Sequence, residues 1–82
     1  MSEALRRLRW KSRRGMLELD LALTTFLDSG FNALSLEEKQ LFESLLELED
    51  TVLFAWVLGH EEVDEPRYQL IVSKIQASLQ RA

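Results

Sequence analysis

Apolar residues along this chain recur with the period of a helix, and no segment alternates with the period of two that a half-buried strand shows. Leu5 and Leu8 open the pattern in a segment over about residues 3–13, for which Ser2 offers an N-cap. Gly15 interrupts it. A second helix is predicted over 16–28, with Leu19, Leu23, Phe26 and Leu27 as its apolar stripe, and Gly30 ends it. Ser35 followed by Glu38 matches a capping box just ahead of Leu41, Phe42, Leu45 and Leu46, the strongest local signal in the chain. Asp50 is read as the cap of a fourth segment, 51–58, which is apolar all round and therefore predicted to lie in the buried centre, Trp56 and Phe54 included; Gly59 stops it. Residues 60–65 are acidic and patternless, hence a loop. Pro66 then stands just inside a fifth helix, where its missing N–H costs nothing, and Tyr68, Val72, Ile75 and Leu79 carry the stripe onward.

The expected fold is all-α: a compact bundle of about five short helices, forming a single domain over 1–82. At 82 residues the chain can bury only about 60 to 65% of its unfolded surface, so every helix has to contribute to one core. The longest apolar run, residues 52–58, is far short of the roughly 20 residues a spanning helix needs, so no membrane insertion is expected. There is no cysteine, which removes disulfides, thiolate metal sites and a cysteine nucleophile.

The formal net charge of −4 hides an uneven distribution. Arg6, Arg7, Arg9, Lys11, Arg13 and Arg14 crowd the first fourteen residues beside one acid, while the remainder is strongly acidic. Clustered charge of one sign steers a partner of the other. An arginine-rich, acid-poor start also resembles a transit peptide, but it runs without a break into the helical pattern, and its removal would take part of a small core. Arginines interleaved with Trp10 could bind a nucleic acid; the acidic remainder argues against that, and Trp10 is expected against the second helix or at a protein interface. His60 is the only histidine, so no metal site or triad is expected from it, and it is read as an exposed loop residue. The acidic clusters lack the spacing of a calcium loop and read as solvated surface.

One motif carries more information. Residues 13–20 contain Arg-Gly-x-x-Glu, filled by Arg14, Gly15 and Glu18. A glycine inside a helix costs about 1 kcal/mol relative to alanine, so Gly15 between two helical patterns either turns the chain or lets another backbone approach. Taken alone, the motif could be purely structural, with Gly15 a C-cap, Arg14 a dipole partner and Glu18 a first-turn acid. Its surroundings add specificity: Trp10 before it, then Leu34-Ser35 with Glu38-Lys39, Leu45-Leu46-Glu47, and Leu53-Phe54 with Trp56. In that order they resemble the SdhE family of flavoprotein assembly factors, bacterial relatives of the mitochondrial succinate dehydrogenase assembly factor 2, over nearly the whole chain.

The resemblance implies a five-helix domain and a helper that is not an enzyme. Such a helper binds the flavoprotein subunit of succinate dehydrogenase, and often of fumarate reductase, and promotes covalent attachment of FAD to a histidine of that client. It implies that Arg14, Gly15 and Glu18 engage the client; adjacency extends the partner-binding set to Arg13, Met16 and Asp20. No catalytic or metal-binding residue is expected, no FAD held stably by this chain, no nucleic-acid partner, and a monomer in a bacterial cytoplasm. The competing expectation is a small regulatory module of antitoxin type, which would share this composition.

Overall fold

The computed structural model describes residues 3–80. Five α-helices follow one another: α1 (Glu3–Lys11), α2 (Leu17–Ser29), α3 (Leu36–Leu45), α4 (Asp50–Val57) and α5 (Pro66–Gln80), with one 3₁₀ turn, Phe31–Ala33, between α2 and α3. The all-α bundle expected from the periodicity is the fold observed. The Ser2 cap lies outside the described residues.

The stripes meet at one core. Helices α2 and α5 pack along each other at the centre, with α3 and α4 against them. Leu19, Leu23, Phe26 and Leu27 from α2 meet Tyr68, Ile71, Val72 and Ile75 from α5, and Phe42, Leu45, Leu46, Leu53, Trp56 and Val57 close the sides. Phe42 stands 5.4 Å from Phe26 and 5.6 Å from Phe31, ring centre to ring centre. Phe31 comes from the 3₁₀ turn, which the sequence pattern missed because a single turn is too short to display a period.

Several boundaries differ from expectation, each for a local reason. Helix α1 stops at Lys11 rather than residue 13: Ser12 N–H still donates to the Leu8 carbonyl at 3.0 Å, but Arg13 N–H turns to the Trp10 carbonyl at 3.1 Å and Arg14 N–H to the Asp20 carboxylate at 2.7 Å, so the helical ladder is abandoned. Gly30 ends α2 as expected, though its need for glycine is space: a Cβ there would sit 2.7 Å from the ring of buried Phe26. Asp50 does not cap α4. Glu49 holds that position, without a side-chain bond, while the Asp50 carboxylate is turned to Arg14. Nor is α4 buried all round: Leu53, Trp56 and Val57 are, but Thr51 is exposed and Phe54 is half-buried, stacked on the ring of exposed His60 at 5.5 Å.

The Ser35 capping box forms as expected, with Glu38 N–H donating to the Ser35 hydroxyl at 3.1 Å and Ser35 N–H donating to the Glu38 carboxylate at 2.9 Å. The other Glu38 oxygen accepts from Lys74 of α5 at 2.7 Å, so one side chain both starts α3 and ties it to α5. The Lys74 ammonium, and then the Ser35 N–H, hold the Glu38 carboxyl below its ordinary value of 4.5. A carboxyl lowered on folding adds stability that is complete above its unfolded pKa and is lost as the pH falls through the folded one. Thermal melts of the wild type should therefore hold level from pH 7 to about 5 and drop below about 4. Glu38→Gln should flatten part of that acid limb; an identical acid limb in both proteins would refute the assignment.

Candidate interaction surface at the α1–α2 turn

The turn joining α1 to α2 is built around Arg14, whose side chain points inward and is only 15% exposed. Its Nε donates to Asp50 at 2.7 Å, Nη1 to the carbonyls of Lys11 at 2.9 Å and Leu46 at 2.8 Å, and Nη2 to the carbonyl of Leu48 at 2.9 Å. One planar guanidinium thereby satisfies the C-terminal end of α1, the α3–α4 junction and the first turn of α4, a task suited to arginine's rigid fork of donors. A dipole partnership for Arg14 at the end of α1 does occur, through the Lys11 carbonyl, and it is one quarter of what the residue does.

Asp20 holds the same turn from the other side. Its carboxylate accepts the backbone N–H groups of Arg14, at 2.7 Å, and Gly15, at 3.1 Å. Two successive amides aimed at one anion form a small nest, which needs the second residue in a left-handed conformation. Gly15 supplies it, with φ of +83°. Unlike Gly30, Gly15 has nothing within 4 Å of where a Cβ would stand, so its outer side is open. Met16 begins the next segment in an extended conformation, half-buried against the core.

What the turn presents outward differs from what holds it. Arg13 and Glu18 are exposed and have no ion-pair partner among the described residues. Beside them Leu17 and Leu21, one helical turn apart, are 83% and 62% exposed, and Trp10 at the end of α1 is 73% exposed. Trp10 is thus at the surface and does not pack on α2. Large apolar side chains this open, rimmed by charge, characterise protein-interaction sites. Leu17 and Leu21 were not singled out from sequence, although both are apolar positions lying off the buried stripe of 19, 23, 26 and 27, which was the available signal.

Of the six residues expected to bind a partner, Gly15, Arg13 and Glu18 share an open surface, Met16 lies partly beneath it, and Arg14 and Asp20 form its frame. The basic N-terminal charge is similarly redistributed. Arg7 pairs with Glu43 at 3.0 Å, Lys11 with Glu47 at 3.7 Å and Arg14 with Asp50, a ladder in which each partner lies 36 residues on. Constant offset means that residues 7–14 and residues 43–50 run side by side in the same direction. Arg9 pairs with Asp28 of α2. Most of the cations therefore serve the fold, and only Arg6 and Arg13 have no partner among the described residues.

Among the described residues no helix is long and apolar enough to cross a membrane, and no three or more His, Cys, Asp or Glu side chains come together as potential metal ligands.

Residues 6–79 match the family described as Flavinator of succinate dehydrogenase. The chain is 42% identical over 73 residues to the FAD assembly factor SdhE of Coxiella burnetii, covering 89% of each chain. It is 47% identical over 70 residues to the protein of that name from Shewanella oneidensis, covering 85% of each, and 45% identical over 74 residues to that of Aliivibrio fischeri, covering 90% of this chain and 86% of the relative.

Proposed function

Because the chain belongs to the family of flavinators of succinate dehydrogenase, we propose that it is an assembly factor for a flavoprotein client, docking through the outer side of the α1–α2 turn. The client is the flavoprotein subunit of succinate dehydrogenase, with that of fumarate reductase as a second, and the outcome is covalent attachment of FAD to a client histidine. The observation that carries the docking site is Gly15: a left-handed residue pinned by Asp20 and Arg14, with open space above it and exposed Glu18, Leu17 and Leu21 alongside.

This arrangement suits a helper that supplies geometry. A client backbone can come close over Gly15 because no side chain stands there. Glu18 can accept from a client arginine or amide, and Leu17 and Leu21 offer apolar area to bury. Holding the immature subunit so that FAD and the acceptor histidine stay in reacting geometry can lower the barrier by prepaying orientation, while the flavin's own chemistry proceeds in the client. FAD is held by the client, and the helper acts as a cytoplasmic monomer with no catalytic group of its own.

The test is reconstitution. Purified apo flavoprotein subunit with FAD should gain covalent flavin, read as in-gel fluorescence, many times faster with this chain than without it. Equal rates together with no recoverable complex would remove the proposal.

A further inference from the structure

The N-terminal cations that have no acidic partner among the described residues are not scattered. Arg6, Trp10 and Arg13 follow one another at spacings of four and three, so they project from one side of the chain within roughly 60° of arc at 100° per residue. Beyond Lys11 the chain tightens, Arg13 N–H donating to the Trp10 carbonyl three residues back at 3.1 Å, which still leaves Arg13 about one turn on from Trp10. All three residues are exposed. The neighbouring cations Arg7, Arg9, Lys11 and Arg14 are each held by an acid of this chain. Folding has neutralised the inner basic residues and left an outer stripe of two bare guanidinium groups with an indole between them.

We infer that this stripe extends the Gly15 docking surface along α1 from the shared residue Arg13, taking an acidic segment of the client protein, with Trp10 as its apolar anchor and Arg6 and Arg13 each meeting a carboxylate. The inference rests on the assembly-factor reading and deepens it. Tryptophan and arginine are the residue types that most often dominate binding energy at interfaces, and an indole so open on a small domain gains much by being covered. Seven residues along a helix span about 10 Å, the separation of acids three apart on an extended strand or seven apart on a helix, and either could bridge the two arginines. Bidentate carboxylate pairing suits guanidinium better than ammonium.

A protein segment is favoured over nucleic acid by what surrounds the stripe. Glu3 stands three residues before Arg6, Glu18 five residues after Arg13, and the whole chain carries −4. Two bare cations amid that field would give a phosphate backbone little net attraction, whereas a short acidic segment needs only those two.

Binding of the full chain to purified apo flavoprotein subunit, measured at 50 and 300 mM salt, tests this. Wild type should bind more weakly at the higher salt. Trp10→Ala should lose about tenfold or more in affinity at either salt. Arg6→Glu with Arg13→Glu should lose at least as much at low salt and show a much flatter salt dependence, while Arg6→Lys with Arg13→Lys keeps the salt dependence and recovers only part of the affinity. All these positions are exposed, so melting temperatures should stay within a few degrees of wild type. Wild-type affinity and salt dependence in the double charge reversal would overturn the inference while leaving the Gly15 surface standing if Glu18→Ala still abolishes binding. Homopolymeric RNA bound as tightly as the subunit, and lost in the same variants, would overturn it in favour of nucleic acid. Absence of any complex with the wild-type chain would fail the assembly-factor reading itself and take this inference with it.

Discussion

Arg14→Ala should lower the melting temperature by roughly 10–20 °C, corresponding to about 3 kcal/mol in a domain of this size. The change removes four hydrogen bonds at once: the ion pair to Asp50 and the bonds to the Lys11, Leu46 and Leu48 carbonyls. Bonds from a charged donor contribute about 1.5–3 kcal/mol each in favourable settings, so a simple total would be larger. Two effects bring it down. Asp50 is nearly half exposed, which screens the ion pair, and carbonyls near the surface recover water. Arg14→Lys should regain less than half, because one ammonium cannot address acceptors spread over three helix ends. Differential scanning fluorimetry of the three proteins suffices, and an Arg14→Ala protein melting within 2 °C of wild type would contradict the structural role given to this side chain.

The second large effect separates docking from folding at the same turn. Glu18→Ala touches an exposed side chain with no ion-pair partner among the described residues, so stability should change by no more than about 0.5 kcal/mol. Client flavinylation should nevertheless fall tenfold or more. Gly15→Ala and Gly15→Arg form the matching pair. Each forces a side chain onto a backbone with φ of +83°, costing about 1–2 kcal/mol, and since the space above Gly15 is empty the arginine adds almost nothing to that cost within this chain. Their melting temperatures should agree within a few degrees, while Gly15→Arg flavinylates far less client than Gly15→Ala because its side chain fills the client's approach. Should the two fall in step in both measurements, Gly15 serves the turn alone.

These predictions divide the Arg-Gly-x-x-Glu motif in a way the sequence could not. The capping box at Ser35 and Glu38 was legible because both its members are three residues apart and act on each other's backbone. Gly15 was legible as a break for a similar reason. Arg14 was not, since the acceptors that absorb its guanidinium lie up to 36 residues away and nothing in a linear pattern connects them. Asp50 was misread as a helix cap by the same failure: an acid at a helix start is usually a cap, but here an arginine from a distant turn competes for it and wins. Trp10 was expected either against α2 or at a protein interface, and its 73% exposure removes the first of these. Its position on the side of α1 away from Leu8 was already visible, and only the aromatic character argued otherwise.

The arginine latch also sets an order of events in the life of this helper. The carbonyls of residues 11, 46 and 48 and the carboxylate of Asp50 all meet the Arg14 guanidinium, so the fully latched turn at Gly15 is a product of the finished fold and not only of the local segment that carries the motif. On the docking proposed above, a nascent or damaged chain would contain every residue of the motif and still lack the grip, and so would leave an immature client free for a competent copy.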